Sequence, residues 1–166
     1  MMILSRVGIA RTINVLGACG INGVTRAPQR HGLTLAIGGA EATPLQIAEA
    51  YATLARGGRH KAARLLASSG SLRESDSADV ADARHAGQQN VVLSENACME
   101  VLAALSSPQR TAEISSEAAG KRVAWKTGTS SGRRDAWCAA VTPRLTVVVW
   151  LGNATGGSSP VLMGTD

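Results

Sequence analysis

The stretch Val123-Ala124-Trp125-Lys126-Thr127-Gly128-Thr129-Ser130 decides the fold. Its apolar, β-prone approach ends in a cation, a hydroxyl, a glycine and a second hydroxyl, the make-up of a strand edge that grips an extended peptide bearing a carboxylate. Downstream, Asp135 to Val141 and Leu145 to Gly152 are two more short apolar runs, set apart by turn chemistry at Ser131-Gly132 and Thr142-Pro143-Arg144. Three strands joined in this way predict an antiparallel meander, with Val123 to Thr129 on its outside and the backbone of Gly128 and Thr129 facing an open groove.

Upstream, the period changes from two to that of a helix. Thr43-Pro44-Leu45-Gln46 combines a threonine N-cap, proline at the first helical position and a glutamine placed to close a capping box. Leu45, Ile47, Ala48, Tyr51, Leu54 and Ala55 then supply an apolar face, and Gly57-Gly58 ends the helix. Ser94 caps a second helix with Ala97, Cys98, Val101, Leu102 and Leu105 on one face, stopped at Ser106-Ser107-Pro108. Val7 to Leu16 reads as a helix and Gly17 to Gly32 as a connection containing Gly and Pro. Ala67 to Asn90, rich in Ser, Asp, Ala and Arg, has too little apolar surface to order itself and is expected to be a loop or insertion. The fold class is therefore α+β. Residues 1–66 form a helical part, 67–90 a flexible insertion, 91–122 a helix and connection, 123–152 the strands, and 153–166 a tail.

Composition limits what this domain does. At 166 residues the chain suffices for one domain with its own core. Aromatics are only 2% with no phenylalanine, so core volume must come from Leu, Val, Ile and Ala, and such a core is lightly filled. The net charge of +5 and pI near 9.7 come from arginines scattered along the chain, and the only adjacent Lys/Arg pairs are Lys121-Arg122 and Arg133-Arg134. Without a basic run or a stacking platform, a nucleic-acid partner is not indicated, and the charge reads as a solvated basic face. Cys19, Cys98 and Cys138 are far apart, with no C-x-x-C or Cys/His spacing, so no metal or redox pair is expected and each reads as a small buried hydrophobe. His31, His60 and His85 carry no motif, and no cofactor is called for.

Lys126-Thr127-Gly128 and the segment Gly38-Gly39-Ala40-Glu41-Ala42-Thr43-Pro44-Leu45-Gln46-Ile47-Ala48-Glu49-Ala50-Tyr51-Ala52-Thr53-Leu54-Ala55-Arg56-Gly57-Gly58 together resemble bifunctional class A penicillin-binding proteins, most nearly the 1C branch. The likeness continues through Arg134-Asp135-Ala136-Trp137 and the strand pair beyond, in the family's order. It implies a serine β-lactamase-like transpeptidase domain that cross-links D-Ala-D-Ala stem peptides of peptidoglycan and is acylated by β-lactams. On this resemblance Lys126 assists proton transfer and attracts the acidic substrate terminus, and Thr127 and Thr129 offer hydroxyl hydrogen bonds. Thr129 contacts the terminal carboxylate and its N–H is one oxyanion donor, while Gly128 lets substrate backbone approach.

One part of the family pattern is missing. Lys61, Lys121 and Lys126 are the only lysines, and the residues three places before them are Gly58, Ala118 and Val123, so no S-x-x-K occurs. The nucleophilic serine and its activating lysine are absent from this chain, which therefore reads as the C-terminal part of a transpeptidase domain, inactive alone. The literal S-x-N, Ser94-Glu95-Asn96, lies after the Gly38 to Gly58 segment where the family has it before, and reads as a helix start.

Two other readings stand beside this one. Gly128-Thr129-Ser130-Ser131-Gly132 fits G-x-S-x-G, the nucleophile elbow of α/β-hydrolases, with Ser130 as nucleophile; that reading demands a helix after Gly132, where the residues look strand-like. The other is a non-catalytic remnant or peptide-binding module, a K-T-G edge with no nucleophile to serve. Lys126 by itself also suits an edge-strand lysine that discourages aggregation. Leu16-Gly17-Ala18-Cys19 resembles a lipoprotein cleavage site, but Arg6, Arg11 and Asn14 interrupt the apolar stretch it needs, and no segment is long enough to span a bilayer. Family members work at the periplasmic face of the inner membrane; this sequence, showing neither signal nor anchor, is expected in the cytoplasm if made alone.

Overall fold

In the computed structural model the described residues are 2–26, 28–64, 90–106 and 123–159. The N-terminal part is helical: α1 (Met2–Val7), α2 (Ile9–Ala18) and α3 (Gly23–Arg26), followed by 3-10 turns at Pro28–Arg30 and Leu33–Ile37. The single helix expected over Val7 to Leu16 is thus displaced, beginning after Gly8, whose φ of 89° is a left-handed conformation that ends α1. The stretch Gly17 to Gly32, read as a plain connection, holds α3. Val24 explains the difference, since its fully buried side chain joins Ile13 and Ile21 in the core and pins one helical turn there.

Helix α4 (Pro44–Ala55) has the capping box that its sequence specifies. The Thr43 hydroxyl accepts from Gln46 N–H at 3.3 Å, and Gln46 Oε1 accepts from Thr43 N–H at 2.9 Å. Ile47 and Ala50 pack on the N-terminal core, whereas Leu45 is 43% exposed. The fully buried side chain of α4 is instead a polar one, Thr53. Beyond the Arg56 C-cap, Gly57 (φ 64°) and Gly58 (φ 87°) reverse the chain, and a Cβ at Gly58 would strike the Leu93 carbonyl.

That reversal leads into a two-stranded sheet not foreseen from the sequence. Strand β1 (Arg59–His60) pairs antiparallel with β2 (Asn90–Val91), placing His60 opposite Asn90. Two-residue strands carry no period to read. Helix α5 (Glu95–Leu105) then starts at Ser94, whose Oγ accepts from Ala97 N–H at 3.3 Å, and it buries Cys98. Its apolar face is narrower than expected, with Val101 43% exposed. The insertion expected at 67–90 and the tail beyond Ser159 lie outside the described residues, save Asn90.

The chain closes with β3 (Ala124–Thr129), β4 (Asp135–Val141) and β5 (Thr146–Gly152), an antiparallel sheet in the order β3-β4-β5. The expected meander is present, its boundaries within one residue of those read from sequence. Cross-strand register puts Lys126 opposite Ala139 and Gly128 opposite Trp137. Helix α4 packs against β4 and β5, and α5 against β3, so the two capped helices back the sheet that carries the K-T-G residues. The architecture is α+β.

Candidate functional site

Among the described residues β3 pairs with β4 alone. Its first residues, Ala124 and Trp125, are buried and anchor it; from Lys126 onward the strand emerges toward solvent, with Lys126, Gly128 and Thr129 exposed. Alternation sends Lys126 and Gly128 to one face, and Thr127 and Thr129 to the other. The Lys126 ammonium donates to the Thr127 carbonyl at 2.6 Å, which lays the charge along the strand. Gly128 is the open point: a Cβ built there meets nothing within 4 Å. All four predicted site residues therefore lie on one exposed strand segment, with room for an incoming backbone beside the glycine.

The turn after the strand is tightly closed. Ser130 N–H donates to the Asp135 carbonyl at 2.9 Å, Ser130 Oγ accepts from Asp135 N–H at 2.9 Å, and Arg133 N–H donates to the Ser130 carbonyl at 3.0 Å. Gly132 (φ 74°) and Arg133 (φ 53°) take the left-handed conformations this needs. Strand β4, not a helix, follows Gly132, and the Ser130 hydroxyl is engaged in the turn. The strand–turn–helix of a nucleophile elbow is therefore absent, and the esterase reading is corrected. Ser94, likewise, is a helix cap.

Asp135 Oδ1 accepts from Trp150 Nε1 at 2.9 Å on strand β5. Trp137 and Trp150 stand with centroids 6.2 Å apart at 49°, an inclined aromatic pair that ties β5 to β4 beside the turn. Beneath the sheet, Tyr51 of α4 has its hydroxyl pKa raised, first by burial and then by the nearby Cys138 thiol, which places this helix under the residue opposite Thr127.

Sequence reasoning missed a second polar cluster. The Thr53 hydroxyl donates to the Glu49 carbonyl at 2.8 Å and lies 3.1 Å from His60 Nδ1, so its proton is committed and the imidazole must donate through Nδ1. Glu49 Oε1 accepts from Ala63 N–H at 2.7 Å, and Gly20 (φ 99°) passes so close that a Cβ would lie 2.7 Å from Glu49 Oε2. With Thr53 fully buried, this cluster clamps α2, α4 and β1 together and offers no reactive hydroxyl. Among the described residues no group of His, Cys, Asp or Glu has the arrangement to hold a metal ion.

Comparison with known proteins agrees with this geometry. Residues 20–159 match the family model described as the penicillin binding protein transpeptidase domain. Penicillin-binding protein 1F of Bacillus subtilis (strain 168) is 29% identical over 157 residues, covering 90% of this chain but 21% of that relative's length. Because the match takes in the supporting helices, the K-T-G edge and both following strands, the chain belongs to the penicillin-binding protein transpeptidase domain family.

Proposed function

We propose that this chain supplies the K-T-G side of a peptidoglycan D,D-transpeptidase site, and that alone it binds the stem peptide without being acylated. The observation that carries the reading is the exposed β3 segment, where Gly128 leaves open space on the Lys126 face of the strand and Thr129 is exposed one residue on.

Acyl transfer at a D-Ala-D-Ala bond, or at a β-lactam ring, requires a serine oxygen to attack a carbonyl carbon while the carbonyl oxygen gains charge. A backbone N–H fixed on a strand is a preorganised donor for that oxygen, because it does not reorient during the reaction. Thr129 N–H fills this role. Substrate backbone approaches β3 at Gly128, which lacks the side chain that would hold it off. Lys126 raises the local positive potential for the terminal carboxylate, and Thr129 Oγ1 donates to it. What the sequence lacks is an S-x-x-K to supply the attacking oxygen and its base. Its place of work would be the outer side of the cytoplasmic membrane, where stem peptides are cross-linked. Among the described residues no helix is long and apolar enough to cross a membrane.

The test is to incubate the purified chain with a fluorescent penicillin and weigh it intact, while titrating it with an acyl-D-Ala-D-Ala peptide. No covalent adduct is expected, together with weak reversible peptide binding that Thr129→Val and Lys126→Gln each reduce several-fold. A stable adduct mapped to Ser130, Ser94 or another serine would overturn the reading, since that serine would then be an active nucleophile.

A further inference from the structure

Away from β3, a groove of about 290 Å³ runs between α4 and the β4–β5 turn. Arg56 at the end of α4, Lys61 just after β1 and Arg144 at the turn all line it. None of the three is ion-paired among the described residues; the Arg56 guanidinium reaches only the Lys61 carbonyl, at 3.4 Å. The one carboxylate on the groove among the described residues, Glu49, is held by the Ala63 N–H. Among the described residues, three cations against one engaged carboxylate give a positive hollow. Two leucines that line it face solvent beside these charges, Leu45 at 43% and Leu145 at 62% exposed.

The rim is rigid. Thr142 Oγ1 accepts from the N–H groups of Arg144 and Leu145 at 3.3 and 3.0 Å, and Thr142 N–H donates to the Leu145 carbonyl at 2.8 Å. Arg144 and Leu145 are therefore presented side by side with little ordering left to lose on binding. A cation paired with an exposed leucine on a stiff turn suits an amphiphile whose phosphate meets the charge and whose methylenes meet the leucine. A free phosphate gains nothing from the leucines.

We infer that this groove seats the headgroup of an anionic phospholipid, docking the α4 and β4–β5 turn face of the domain on a membrane surface. The inference is independent of peptide binding at β3. Its test measures partition of the full chain onto vesicles of phosphatidylglycerol and phosphatidylcholine in equal parts, and onto phosphatidylcholine alone. Each cation near such a surface contributes about fivefold. The triple variant Arg56→Gln, Lys61→Gln, Arg144→Gln should then lose about a hundredfold, and Leu145→Ser several-fold.

A control triple with the same charge loss, Arg11→Gln, Arg26→Gln, Arg30→Gln, alters exposed arginines outside the groove and should lose far less. Should the groove triple fail to fold, Arg144→Gln and Leu145→Ser on the exposed turn carry the test. Equal losses in the two triples would overturn the inference in favour of net charge alone, and equal binding to pure phosphatidylcholine would reduce it to apolar adsorption. Saturable micromolar binding of inorganic phosphate, read at the Arg144 and Leu145 amide resonances, would also overturn it, by making the groove a free-phosphate site.

Discussion

At the scale of single residues, two glycines illustrate opposite uses of a missing side chain. Gly128 has an ordinary φ and open space, so Gly128→Val should leave the unfolding midpoint nearly unchanged, within about 0.5 kcal/mol, while abolishing the weak D-Ala-D-Ala peptide binding by filling the approach. Gly58 has φ 87° and the Leu93 carbonyl where a Cβ would stand, so Gly58→Ala should destabilise by on the order of 2 kcal/mol or more in urea unfolding. A variant pair behaving the other way round would refute the open space at Gly128 and the close approach at Gly58. Thr53 gives a third case: Thr53→Val keeps the volume but strips the acceptor from the His60 Nδ1–H, a loss of about 1 to 3 kcal/mol, and Thr53→Ser should recover most of it. Neither Thr53 nor His60 had any motif to announce it. The signal is a hydroxyl on the buried side of a helix, which sequence alone reads as one more polar residue.

Among the secondary-structure elements, the capped helices were the most legible, because their start signals are local hydrogen bonds between residues three apart. Thr43→Ala removes the hydroxyl acceptor for Gln46 N–H, and it should cost about 1 kcal/mol in thermal unfolding. The β3–β4 turn depends on Ser130 in the same local way. Ser130→Ala deletes the acceptor for Asp135 N–H, so the hairpin beside the K-T-G segment should lose about 1 kcal/mol and show faster amide exchange at Asp135. As with the parent chain, no penicillin adduct should form. The short elements were not legible: α3, β1 and β2 are too short for a period to show, and each exists because tertiary packing or pairing selects it.

On the level of the whole molecule, the thin core foreseen from the lack of aromatics is visible in what fills it. Among the largest fully buried side chains are Val24, Thr53 and Cys98, none of them bulky. Burial raises the Cys98 thiol pKa above its ordinary 9.0, with the Glu95 charge adding to it, and raises that of Cys19, with Cys98 adding. A thiol that holds its proton more tightly folded than unfolded contributes stability that is complete below the unfolded value. That contribution drains as pH rises toward the folded one, because the unfolded chain releases the proton first. The thiol contribution should therefore be level up to about pH 9 and fall beyond it. Cys98→Ala should flatten that alkaline limb in urea midpoints measured from pH 7 to pH 10.5. A limb unchanged in Cys98→Ala would remove the thiol from the account.

The sequence by itself determined the order of elements, the two helix starts, the three strands with their turns, and the K-T-G segment with its family, because each rests on contacts between near neighbours or on strict alternation. It also determined that no S-x-x-K is present. Only the tertiary structure decided that Asp135 accepts from Trp150 Nε1 and that Arg56, Lys61 and Arg144 share one groove. The physical reason is the same in each case. Such partners lie far apart along the chain, and which of several chemically suitable groups a side chain meets is set by packing of helix on sheet.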